Sequence, residues 1–158
     1  MFYATLKTIH LLSVMVWVGG MVFVQFFLRP VAAKLAPPER VRLMHAVLGR
    51  FFNAVLVVAG LALVSGLWMM ARHSTAVAQT GVKASMPIEW IAMAVLGLVM
   101  TGIFCYIRFA LYQRLARAVM AAAWAAGGAV LARIRTWVIV NLVIGVMIVA
   151  TTLLGASS

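Results

Sequence analysis

The sequence contains almost no acid: Glu39 and Glu89 are its only carboxylates, against thirteen lysines and arginines. That scarcity excludes a relay of paired intramembrane carboxylates and, with no nucleotide-binding motif present, argues against primary pumping. Cysteine is equally scarce. Cys105 stands alone, allows no intrachain disulfide, and reads as a small core residue inside an apolar run. The four prolines (Pro30, Pro37, Pro38 and Pro87) avoid the apolar runs altogether, as expected where helices must satisfy their own backbone in lipid. No internal repeat, low-complexity tail or appended soluble domain interrupts the pattern.

Hydrophobicity is what the chain has in excess. Two thirds of its residues (66%) are apolar and 9% are charged, well outside the average for soluble domains. Runs of about 18 residues or more cross a hydrocarbon core of ~30 Å as a helix. Four can be marked, at about 6–28, 51–70, 91–111 and 137–154. The first is too long for a signal-peptide core and no basic segment precedes it, so it is expected to remain as a structural helix. The expectation is an all-α, integral membrane four-helix bundle in one domain, 1–158. Residues 38–50 follow Pro37-Pro38 with Val41, Met44, Val47 and Leu48 on one face, predicting an amphipathic cytoplasmic extension of the second span. The alanine-rich "ARAVMAAAWAAGGAVLARIR" predicts helical turns broken at Gly127-Gly128. Gly19-Gly20, and Ala62 with Gly66, are small residues that permit close helix contact.

The net charge of +11 first suggests a nucleic-acid partner, but its distribution argues otherwise. Nine basic residues lie in or beside the first and third connections: Arg29, Lys34, Arg40, Arg42, Arg108, Arg114, Arg117, Arg133 and Arg135. Only Lys7, Arg72 and Lys83 lie on the other side. The positive-inside rule then places the two basic connections in the cytoplasm and both termini outside, which in a bacterial inner membrane is the periplasm. The excess is a topology signal with some attraction to anionic headgroups, and no nucleic acid is expected.

Polar groups inside lipid are costly and therefore informative. His10 shares a face of the first span with Lys7, Val14, Trp17 and Met21. It reads either as a neutral imidazole aimed into the bundle as a copper or haem-iron ligand, or as a histidine hydrogen-bonded to a neighbouring helix. The stretch "GLWMMARH" ends the second span near the same side. Met69 and Met70 precede His73 by four and three residues, so either could join it at one ion; Met1 and Met86 fall within reach. Thioethers are soft donors suited to Cu(I), and imidazole suits copper in either state, although methionine also serves as an ordinary gap-filler. His45 lies across the bilayer and cannot share that ion. Arg50 and Asn53 are expected at headgroups and carbonyls of the inner boundary, and Asn141 in an interhelical hydrogen bond.

"LKTIHLLSVMVWVGGMVFVQFFLRP" and "PPERVRLMHAVLGRFFNAVLVVAGLALVSGLWMM", with "IRFALYQRLARAV" and "LARIRTWVIVNLVIGV" further on, resemble short members of the CopD (copper resistance D) family. The resemblance implies an inner-membrane copper-handling protein and raises the metal reading of His10, Met69, Met70 and His73, with Cu(I) preferred. A more distant likeness, from "LK..H" and "GLW", is to the HemJ-type membrane protoporphyrinogen oxidase, and implies haem b on His10. That family's basic residues after a tryptophan in the third span have no counterpart in "EWIAMAVLG". The function classes left are a copper-binding or copper-translocating membrane protein, a b-type haem membrane oxidoreductase, and a cofactor-free assembly partner. A second copy of the chain or a periplasmic copper carrier is the expected partner.

Overall fold

The computed structural model describes residues 2–80 and 88–155, with side chains for 2–72, 74–75, 88 and 90–152. Four long helices account for nearly all of it, and each is long and apolar enough to cross a membrane. The first runs Phe2–Ala32 and the second Pro37–Thr80. The third passes from Ile88–Tyr106 through a π-helical turn, Ile107–Leu111, into Tyr112–Met120. The fourth is Trp124–Gly155. Their outward faces carry large apolar side chains such as Phe26, Val57, Leu98 and Val146, which only lipid can cover. This is a multi-pass membrane protein in contact with the bilayer.

Two short turns join helices at one end, here termed the turn end. At 33–36 the chain reverses by Lys34 N–H to Val31 and Leu35 N–H to Ala32 bonds, both 3.2 Å. Pro37 and Pro38 then open the second helix at positions whose N–H groups have no partner anyway, with Glu39 in the first turn to complement the dipole. At 44 residues this helix is about 66 Å long at 1.5 Å per residue, far more than a hydrocarbon core requires. Val41, Met44 and Leu48, at 0–2% exposure, belong to the same buried cluster as Leu115, Leu131 and Ile134.

The expected break at Gly127-Gly128 is not there; the fourth helix runs straight through both glycines. The chain reverses instead at 121–123, where Ala122 takes φ 51°. Ala123 N–H bonds to Ala118 O (2.9 Å) and Ala122 N–H to Val119 O (3.1 Å), the paired bonds of a Schellman C-cap with alanine in the left-handed seat usually given to glycine. Gly127 serves close approach: a Cβ there would stand 2.8 Å from Val41 Cγ1.

The two halves of the bundle are packed differently. Nearly all the side chains with under 2% exposure, including Val41, Leu48, Phe52, Leu111, Leu115 and Ile134, lie toward the turn end. Edge-on aromatic contacts link Trp17 to Phe104 (5.9 Å), Phe104 to Phe52 (6.0 Å) and Phe52 to Tyr112 (5.6 Å). Beyond Trp17, toward Phe2 and Trp90, the helices enclose a cavity.

Candidate functional site

His10 lies on the first helix against the second. Its Nδ1 is 2.9 Å from Ala62 O and 3.2 Å from Ser65 Oγ. A carbonyl can only accept, so Nδ1 carries a proton and donates to it. Ser65 is held for this contact by donating to Leu61 O at 2.6 Å. Gly66 supplies the space, because a Cβ there would sit 3.3 Å from His10 Cε1 and 3.6 Å from Nδ1. Of the two readings the sequence left open, the hydrogen bond to a neighbouring helix is present. That bond occupies Nδ1, so Nε2 is the nitrogen a metal would have to use.

His10 borders a cavity of about 230 Å³ between all four helices. Three thioethers share its lining, Met70 on the second helix and Met93 and Met100 on the third. Met100 stands against the fourth helix, its Sδ 3.6 Å from the Cβ position of Gly145. Thr101 and Thr152 also line it, but their hydroxyls donate back to Gly97 O (2.9 Å) and Ile148 O (2.7 Å) of their own helices. His10 and Trp17 are the nitrogen-bearing side chains of the lining, and of the two only the imidazole can offer a lone pair; among the described residues no carboxylate lines the cavity. Pockets that enclose drug-sized ligands run from about 300 Å³ upward. At about 230 Å³ this cavity is smaller than that.

The profile of the copper resistance protein D family, CopD, matches residues 45–154. The chain belongs to the CopD family. No curated protein and no solved structure matches it. Family membership makes this a membrane protein related to copper resistance. The matched region contains Met70, Met93 and Met100 and begins after His10.

In this CopD-family chain the residues singled out from the sequence are divided. His10 and Met70 border one cavity. Met69, 9% exposed, continues the buried stripe of Ala62 and Ser65 and does not line it. The second helix continues through position 73, but the side chain of His73, like Met1 and Met86, lies outside the described residues. Among the described residues no three histidines, cysteines or acids gather at a metal-binding spacing. His45, toward the turn end, stacks on Tyr112 at 5.1 Å and 4°. Asn53, an exposed residue, accepts through Oδ1 from Arg108 Nη2 at 3.1 Å. Asn141 donates across the bundle to Met21 Sδ at 3.9 Å, while its Oδ1 is buried without a partner. Met93 and Met100 were missed. Their spacing of seven puts them on one helical face, which was the available signal.

Proposed function

We propose that the cavity binds Cu(I) within a bacterial inner membrane, reached from the periplasmic side. His10 Nε2 and the thioethers of Met70, Met93 and Met100 supply the ligands. The observation that carries this is the Nδ1–H bond to Ala62 O, which orients the ring and leaves Nε2 as the nitrogen available to a metal, on a side chain that shares its cavity with soft donors. All four ligands are uncharged. A monovalent soft ion suits such a set, whereas harder cations call for carboxylates, and among the described residues the cavity lining has none. The nine-to-three distribution of basic residues supports the orientation, and CopD membership supports the metal.

Holding the ion is better supported than passing it on. The lining of the cavity reaches Trp17, whose ring meets Phe104, and the next donors toward the turn end, Met21 Sδ and Asn141, are closed off by burial at 1–2% exposure. The test is Cu(I) titration of the purified protein against a chromophoric chelator. The parent is expected to bind one Cu(I) and show no Soret band. His10→Ala should abolish binding, and His45→Ala should leave it intact. Equal losses in both variants, or a Soret band in the parent, would overturn the reading.

A further inference from the structure

A second cavity of about 230 Å³ lies at the turn end and has the opposite chemistry. The end of the first helix contributes Arg29, the start of the second Arg40, and the fourth Arg135. Among the described residues no carboxylate lines it, and Glu39, next to Arg40 in sequence, is not part of the lining. Arg29 comes directly after the π-helical turn Phe23–Leu28. One arm of its guanidinium is tied down, Nη2 donating to Leu131 O at 3.3 Å. Its Nε is buried with no hydrogen-bond partner. Gly128 opens the wall opposite: nothing lies within 4 Å of where its Cβ would stand.

Three cationic forks around one cavity, with a buried donor unspent and no anion supplied by the described residues, make an unbalanced arrangement. Leaving a buried charged donor unpaired is costly. Guanidinium groups match phosphate oxygens in bidentate geometry, and basic pockets between membrane helices bind phospholipid headgroups. We propose that this cavity binds a phosphate group, held by Arg29, Arg40 and Arg135. The phosphate can come from the headgroup of an anionic phospholipid or from free phosphate. The site is separate from the copper reading: Arg29 is 19 residues along the first helix from His10, roughly 28 Å at 1.5 Å per residue.

The delipidated protein is incubated with phosphatidylglycerol or phosphatidylcholine and examined by native mass spectrometry. In a parallel arm, thermal unfolding is followed with inorganic phosphate. Among the described residues the side chains of Arg40 and Arg135 form no hydrogen bond, and the backbone bond of Arg40 N–H to Ala36 O (2.9 Å) is kept by glutamine, so Arg40→Gln/Arg135→Gln is the main variant. Arg135→Gln alone, at an exposed position, serves if the pair does not fold. Arg114→Gln/Arg117→Gln removes the same charge outside the cavity. The expected result is phosphatidylglycerol retained over phosphatidylcholine, falling at least about tenfold in the cavity variant and hardly in the control. Stabilisation by inorganic phosphate without lipid preference would identify free phosphate as the occupant. Equal loss in both double variants would reduce the effect to surface charge and overturn the proposal. So would indifference of the parent to both probes.

Discussion

Gly66→Ala separates the copper site from the stability of the helix that carries it. Within a helix, replacing glycine by alanine favours folding by about 1 kcal/mol on propensity alone. The new Cβ would arrive 3.3 Å from His10 Cε1 and 3.6 Å from Nδ1, closer than carbon atoms ordinarily pack, so the imidazole must shift by a few tenths of an ångström. The Nδ1–H bond to Ala62 O, now 2.9 Å, then lengthens or bends. Such a bond contributes about 0.5–1.5 kcal/mol, and loss of a group that orients a metal ligand costs roughly 10–100-fold in metal affinity. Thermal stability should hold or rise while Cu(I) affinity falls at least about tenfold. Chelator competition and thermal unfolding on one preparation check both. Unchanged affinity in a folded Gly66→Ala protein would refute the idea that Ala62 positions His10 for a metal.

Two further substitutions test other parts of the structure. Met70→Leu should weaken Cu(I) binding measurably, whereas Met69→Leu, a volume-conserving swap in a buried stripe, should cost under about 1.5 kcal/mol of stability and leave affinity unchanged; equal effects on affinity would return both methionines to one role. Ala122→Gly should stabilise the protein by about 0.5–1 kcal/mol, because the left-handed seat costs an alanine about 1–2 kcal/mol and glycine's extra freedom in the unfolded chain recovers part of the gain. Denaturant or thermal unfolding in detergent checks this, and a destabilised variant would contradict the Schellman geometry at 121–123.

The spans were legible because apolar length is a property of the sequence alone, and the bilayer sets the threshold it must meet. Other features depend on what faces what. The glycine pair 127–128 reads as a helix break by propensity, yet Gly127 is there because Val41 of another helix occupies the space a side chain would need. The π-helical turns Phe23–Leu28 and Ile107–Leu111 were not anticipated, since the apolar periodicity runs on through both, although each holds a polar residue, Gln25 and Arg108. His10 stood out because an intramembrane imidazole is rare. Met93 and Met100 did not, because eleven methionines make any one of them unremarkable until a cavity selects it. Adjacent Met69 and Met70 could be separated only by structure, as neighbours on a helix face about 100° apart.

The contrast between the halves of the bundle bears on what an ion at His10 can do. Toward the turn end the side chains are fully buried, and Trp17, Phe104, Phe52 and Tyr112 form an unbroken run of edge contacts. Each aromatic pair contributes about 0.5–1.5 kcal/mol beyond its buried area, so parting all three costs roughly 1.5–4.5 kcal/mol before any ion moves. A charge entering that run would also lose its ligands in a region of low dielectric, at several kcal/mol more. On the cavity side the packing is looser: Ala62, Met69 and Met100 keep 5–9% exposure, and thioethers with three rotatable bonds can adjust around an ion at little cost. The resting arrangement therefore favours capture and retention. Transport through the bundle would require a second state in which the third helix, bearing both Met100 and Phe104, moves away from Trp17.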